Sequence, residues 1–356
     1  MVAGRVMRSG AAAASALATT AWVRLGEVTN RTFTVPLVIF YPTSRCNSHC
    51  VSCDWWRSSG ATDLRFDEIA RLAQALQPLG TRVVAFSGGE PLLRHDVFEV
   101  ARLFRREGLA LHLLTSGVLL ERCADEVASE FTRVIVSLDA PTEMLYHAVR
   151  GIRALGVVEE GVAKLRSVAP RLPVTARATL HKLNFRELPR LIEHAKAMAL
   201  DGISFLPADV SSTAFGRHAL PPVDALVLDA AEIAEFESVV ERTIADHQDD
   251  FESRFVMEPP DKLRRLPKYY AALAGIAPFP PVSCNAPWTS VVIEADGSVR
   301  PCFFHEAIGN IRITPLDVIV TRDLPGFRRS LDVSTNPVCT RCVCSIKTGW
   351  RGAPWQ

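Results

Sequence analysis

From Val35 to Leu206 the chain alternates short apolar runs with stretches whose apolar residues recur at helical spacing, and this alternation restricts the fold more than any other feature. Such a chain buries its strands side by side in a parallel sheet and covers them with the helices between. Strands are expected at Val35–Tyr41, Arg82–Ser87, Leu109–Ser116, Arg133–Leu138, Val174–Leu180 and Gly202–Leu206. The clearest helices are Phe66–Leu79, Val97–Glu107, Gly156–Val168 and Glu187–Ala199. In the first of these, Ile69, Leu72, Ala73 and Leu76 share a face, and Asp67 and Glu68 stand at the start, where the helix dipole favours negative charge. Six βα units are too few for a closed eight-stranded barrel. The expected class is therefore α/β, a partial (β/α)6 TIM-type barrel, with a doubly wound open sheet as the alternative.

In either architecture the chemistry collects where the strands end. The first strand runs into Cys46-Asn47-Ser48-His49-Cys50-Val51-Ser52-Cys53, three thiols in eight residues. Three ligands do not close a tetrahedral zinc site, but they hold a [4Fe–4S] cube at three corners and leave the fourth iron open to a small molecule. A zinc knuckle completed from elsewhere, or a set of buried free thiols, is the plainer alternative. The second strand ends in Ser87-Gly88-Gly89-Glu90-Pro91. Two glycines there let the backbone approach a ligand closely, and Glu90 offers a carboxylate for an ammonium group. Thr115-Ser116-Gly117 and Ser137-Leu138-Asp139 close the third and fourth strands, and Arg177 lies on the fifth.

The 40 basic and 39 acidic side chains nearly cancel, so nothing in the charge calls for a nucleic acid. Nine cysteines, eight of them in two groups, point to metal binding in a reducing compartment, and the expected location is cytoplasmic. Residues 1–34 form an N-terminal extension. Its run Gly10 to Val23 behind Arg5 and Arg8 loosely resembles a signal peptide, but reads better as a loosely held helix. No later stretch has the ~20 apolar residues of a membrane span. Beyond a barrel at 35–210, residues 211–281 read as a helical and proline-rich linker, with a helix at Asp229–Asp246 and a short helix inside the proline-rich Pro259–Pro281, which carries Tyr269-Tyr270.

Residues 282–356 start a small α+β cluster-binding domain. Thr289–Glu294 and Ser298–Pro301 form a hairpin around Ala295-Asp296-Gly297-Ser298, which puts Cys302 at its end. Cys284, Cys302, Cys339 and Cys342 make a set of four that closes either an iron–sulfur cluster or a zinc ribbon, and chemistry alone leaves both open. Cys344 offers a fifth thiol that could replace Cys342, and Cys123 in a helical stretch reads as a buried thiol.

Taken together, Cys46-x3-Cys50-x2-Cys53, Gly88-Gly89-Glu90-Pro91 and Val136-Ser137-Leu138-Asp139-Ala140 before Arg150-Gly151 resemble the radical S-adenosylmethionine (SAM) enzymes over roughly 35–210. The resemblance implies that Cys46, Cys50 and Cys53 hold a [4Fe–4S] cluster whose open iron is chelated by SAM. It further implies that Gly88, Gly89 and Glu90 face the SAM amino group, with Ser137 and Arg177 near the ribose and carboxylate. One position departs from the pattern: Ser52 stands where the family has an aromatic residue beside the adenine, so Trp55 or Trp56 would have to supply that packing.

The C-terminal cysteines resemble the SPASM extension or its shorter Twitch form. Five cysteines instead of seven imply one auxiliary [4Fe–4S] cluster, as in the similar dehydrogenases acting on 2-deoxy-scyllo-inosamine. The expected activity is SAM-dependent hydrogen abstraction from a small molecule, an oxidation or rearrangement fed by an electron donor such as flavodoxin or ferredoxin. The short segment before the first strand favours a small molecule over a ribosomal peptide, which is the alternative. A non-catalytic iron–sulfur or zinc protein is the third reading. Tyr146, His181, Lys182, Asp209, Arg217 and His305 are substrate-facing candidates by position alone, each reading first as a structural or solvated polar residue.

Overall fold

The computed structural model describes residues 2–217 and 223–347. Its strands are β1 (Leu37–Thr43), β2 (Val83–Gly88), β3 (Ala110–Thr115), β4 (Arg133–Ser137), β5 (Val174–Leu180), β6 (Ile203–Pro207), β7 (Ser290–Ile293), β8 (Ser298–Arg300) and β9 (Gly309–Asn310). They form one sheet in the order β6-β5-β4-β3-β2-β1-β7-β8-β9. From β1 to β6 every neighbour is parallel and next in sequence, so the strand order never reverses. A doubly wound sheet needs such a reversal, and the chain is a partial barrel instead.

Strand parity sorts the core into two faces. Val38 and Phe40 of β1 and Val84 and Phe86 of β2 point outward under the helices, in the large core cluster. Phe86 makes edge contacts with Phe40, Phe104 and Phe131 there. Ile39, Tyr41, Ala85 and Val292 point inward and pack with Trp55, Leu114 and Phe303. The first strand starts two residues later than its apolar run, because Pro36 has no N–H for the ladder; its carbonyl instead accepts from Arg82 and Val83. At the other end β1 extends to Thr43 through an irregularity in its pairing with β2.

Two segments pack more closely than the sequence suggests. The proline-rich stretch holds helices at Pro260–Leu263 and Arg265–Leu273, and Tyr270 is buried, its hydroxyl donating to Leu180 O (2.6 Å) and accepting from Ala208 N (3.0 Å). The short helix expected inside this stretch is present. The N-terminal helix α1 (Val2–Thr29) docks instead of hanging loose: Thr19, Thr20 and Val23 are buried, and Asn285 Nδ2 donates to Glu27 Oε1 (2.5 Å). The expected hairpin is present as the antiparallel pair β7–β8, and β7 in turn lies parallel against β1. The second group of cysteines is thus built onto the barrel sheet itself. Among the described residues no helix is long and apolar enough to cross a membrane.

Candidate functional site

The first cysteine loop leaves the end of β1 and is tied down on three sides. His49 N and Val51 N donate to Arg150 O (2.8 Å) and Val149 O (3.0 Å), at the end of α5 (Glu143–Arg150). Gly151 follows with φ +70°, and a Cβ there would lie 2.5 Å from His49 O, so Arg150-Gly151 serves to seat the loop. On the second side, Thr43 Oγ1 and Ser44 N donate to the Asp63 carboxylate (2.5 and 3.1 Å).

On the third side the segment after β6 folds back over the loop. Asp54 N donates to Phe215 O (3.0 Å), and the buried Arg217 donates from Nη2 to Ser52 O and from Nη1 to Asp209 Oδ2 (3.0 Å). Asp209 and Arg217 are therefore a buried ion pair that holds the loop. The sequence showed only a Ser- and Gly-containing exit from the barrel, with nothing local to reveal a cover.

The turn after β2 packs flush against the same loop. Gly88 has φ +94°, and a Cβ on Gly89 would sit 2.0 Å from Arg45 O. Glu90, 1% exposed, donates its own N–H to Arg45 O (2.8 Å). Its carboxylate accepts from Leu92 N (3.0 Å), Thr115 Oγ1 (2.9 Å) and Ser116 N (2.6 Å). Burial still pushes its pKa up, outweighing the hydrogen bonds from Ser116, Leu92 and Thr115 that favour the ionised form. A fixed, dehydrated carboxylate of this kind binds an ammonium group well.

Cys46, Cys50, Cys53 and the Gly88-Gly89-Glu90 turn line one cavity of about 240 Å³. Ser137 and Arg177, register partners across β4 and β5, lie in its wall. Trp55 lines it too, whereas Trp56 turns away against His49, at 4.9 Å between rings. Phe215, Phe303 and Phe304, which touch one another, are wall residues without a sequence signal, and Arg150 of the Arg150-Gly151 pair also lines the cavity, its Nη1 donating to Asp139 Oδ2 (2.9 Å). Of the remaining candidates, Tyr146 and His181 are buried behind the wall, and Lys182 pairs with Glu232 at the surface (3.3 Å).

The thiols test what the site can hold. Burial raises Cys46 to about 11 and Cys53 to about 12, and raises Cys50 as well. Three dehydrated thiols beside one another become thiolates only when a metal supplies the positive charge. In the second group, burial lifts Cys302 to about 11 and Cys339 to about 12 in the same way. Among the described residues no three cysteine sulfurs lie within 4.8 Å of one another. A single zinc, with Zn–S near 2.3 Å, would draw its thiolates to about 3.8 Å apart. Among the described residues neither group brings three sulfurs that close.

The second group is also equipped to stabilise thiolates. Ala286 N lies 3.4 Å from Cys284 Sγ, Cys344 N 3.4 Å from Cys342 Sγ, and His305 Nε2 3.3 Å from Cys339 Sγ. Backbone N–H groups of Phe304 and His305 serve Cys302. Donors of this kind are how a protein sets cluster potential, and they place His305 beside a thiol instead of a substrate. Cys123 is half-buried on α4 (Leu120–Glu130) and packs against the core.

Residues 40–195 match the radical SAM superfamily, and residues 284–343 match SPASM, an iron–sulfur cluster-binding domain. The chain belongs to the radical SAM superfamily. As a radical SAM enzyme with a SPASM domain it uses SAM and [4Fe–4S] clusters, and the two sets of thiols fit those groups. The chain is 29% identical over 284 residues to a PqqA peptide cyclase of Rhodopseudomonas palustris, covering 78% of this chain and 70% of the relative. It is 28% identical over 302 residues to a probable GTP 3′,8-cyclase of Methanopyrus kandleri, covering 79% and 88%. Among solved structures, SuiB of Streptococcus suis bound to S-adenosylmethionine has a TM-score of 0.62 at 15% identity, over 90% of this chain and 75% of that one. A structure of anSMEcpe with bound AdoMet and the Cp18Cys peptide has a TM-score of 0.61 at 18% identity, over 86% of each chain. At these identities the two structures bear on the fold alone.

Proposed function

We propose that this radical SAM enzyme modifies a peptide, and that Cys46, Cys50 and Cys53 hold the SAM-binding [4Fe–4S] cluster. The reading is carried by one observation: the cavity framed by the first three cysteines and Glu90 reaches, in the same wall, the segment of the second cysteine group at Val343 and Cys344. Substrate held there lies between the two iron–sulfur sites. The small-molecule substrate expected from the sequence gives way to a peptide, supported by the PqqA peptide cyclase likeness over most of the chain.

When bound, the cluster and SAM supply a primary carbon radical able to take hydrogen from an unactivated C–H bond. The protein's own residues do the holding. Glu90 receives the SAM ammonium while Leu92, Thr115 and Ser116 keep its carboxylate in place. Gly88 and Gly89 let ligand and backbone close to contact distance. Arg177 faces the carboxylate or ribose beside Ser137, its Nε anchored on Ser204 Oγ (3.1 Å). Trp55 and Phe215 offer ring faces for the adenine in place of the aromatic residue that Ser52 replaces. Phe303 and Phe304 form an apolar wall that excludes water from the reacting carbon.

Cys284, Cys302, Cys339 and Cys342 hold one auxiliary [4Fe–4S] cluster, and an external one-electron donor of the flavodoxin or ferredoxin type reduces the enzyme. The test is anaerobic reconstitution followed by reaction with SAM, reductant and short peptides encoded beside this gene. The expected result is 5′-deoxyadenosine together with a mass or retention change in one peptide. Turnover of a sugar- or lipid-type small molecule with every peptide left unchanged would overturn the peptide reading.

A further inference from the structure

Five thiols cluster in the C-terminal region and a closed auxiliary cluster needs four. The structure distinguishes the fifth by its surroundings. Cys284, Cys302 and Cys342 each have a backbone N–H directed at sulfur, from Ala286, from Phe304 and His305, and from Cys344 respectively, and the His305 ring nitrogen Nε2 lies 3.3 Å from Cys339 Sγ. Among the described residues no such donor reaches Cys344 Sγ; its contribution is the backbone N–H that serves Cys342. The two thiols also face different spaces. Cys342 lines a small pocket with Tyr269 and Thr340, while Cys344, two residues on, lines the cavity that holds Cys46, Cys50, Cys53 and Glu90. Val343 between them borders both.

A thiol in the wall of a cavity where carbon radicals form has a definite chemical consequence, because its S–H bond is weaker than an alkyl C–H bond. The other side-chain O–H groups in that wall belong to serines and threonines such as Ser137 and Thr179, whose O–H bonds are too strong to give up hydrogen to carbon. We propose that Cys344 is not a cluster ligand but the hydrogen-atom donor that quenches a substrate carbon radical in this cavity. The S–H bond breaks, a C–H bond forms on the face of the substrate turned to Cys344, and a thiyl radical remains. One electron from the external flavodoxin- or ferredoxin-type reductant and one proton from solvent restore the thiol. The substrate then keeps its hydrogen count, which makes the net change redox-neutral, such as inversion at a carbon centre. The inference rests on the cavity being a site of radical chemistry and is independent of whether the substrate is a peptide.

The experiment uses reconstituted full-length wild type, Cys344→Ala, Cys344→Ser and Cys342→Ala, with titanium(III) citrate as a thiol-free reductant. The first readout is iron content and the low-temperature electron paramagnetic resonance signal. Both Cys344 variants are expected to keep the wild-type iron, whereas Cys342→Ala loses about four irons per chain. The second readout is the deuterium content of 5′-deoxyadenosine formed from SAM in D2O with no other substrate, where the exchanged S–D of Cys344 is the donor to carbon. The wild-type product is expected to carry deuterium, and both Cys344 variants to lose most of it per molecule formed, whatever their rate. Loss of one cluster's iron in both Cys344 variants, or unchanged deuterium content in them, would overturn the proposal. Neither readout involves a peptide, so a failed peptide assignment gives a different signature from a failed donor.

Discussion

Replacing Glu90 with glutamine tests the site where its geometry is most constrained. The side chain keeps its shape but loses its charge. A carboxylate accepts on both oxygens, from Leu92 N on one and Ser116 N on the other; an amide accepts on one only. One buried N–H is then opposed by the new NH2, at about 1–3 kcal/mol, and relief of burying a lone charge offsets part of this. The stability of the SAM-free protein should therefore change little. SAM binding should change far more, because a charge-assisted hydrogen bond to ammonium contributes about 1.5–3 kcal/mol, equivalent to roughly 10- to 150-fold in affinity. Calorimetric titration under argon, with iron content matched between variants, measures it. Thr115→Val, which removes a neutral donor and keeps the charge, should lose less. Wild-type affinity should also fall as pH drops through the raised Glu90 pKa, since the ammonium binds only the ionised form and burial has moved that ionisation upward. SAM affinity for Glu90→Gln within about threefold of wild type would refute the assignment.

Three further outcomes follow from contacts around the site. Gly89→Ala puts a methyl group where Arg45 O lies 2.0 Å away, and should cost about 1–3 kcal/mol or more in urea unfolding together with most SAM affinity. Arg217→Met leaves Asp209 buried without its partner and Ser52 O without its donor; about 3–5 kcal/mol should be lost, part of it recovered by adding Asp209→Asn, as read by denaturant melts. Arg312 donates to both oxygens of Glu68 and holds its carboxyl down at about 2. A depressed carboxyl stabilises the fold above its unfolded pKa and loses that contribution as pH falls through the folded value. The melting temperature of Glu68→Gln should therefore drop less than that of wild type between about pH 4.5 and pH 2.

Local pattern carried the barrel. β5 occupies the residues its apolar run marked, and the others differ mainly at their ends, as where Pro36 delays β1. The thiols, the glycine turn and Glu90 were legible because each is a residue type with few other uses at a strand end. Contacts over long sequence separation were not legible. Nothing near Arg217 signals that its guanidinium reaches the carbonyl of Ser52, and no local period reveals that Ser290–Ile293 pairs with Leu37–Phe40. The short helix around Tyr269-Tyr270 was legible, but no local pattern reveals that the Tyr270 hydroxyl bonds to Leu180 O and Ala208 N at the ends of two barrel strands.

The parallel pairing of β7 with β1 ties the two metal-binding halves together through main-chain hydrogen bonds. Cutting the chain before β7 would bare the β1 edge and invite other chains to add to it, so a shortened barrel should aggregate rather than act alone. The loops that carry the two thiol sets both leave this one sheet, Cys46 after β1 and Cys302 after β8, so a single main-chain ladder sets how far apart they stand.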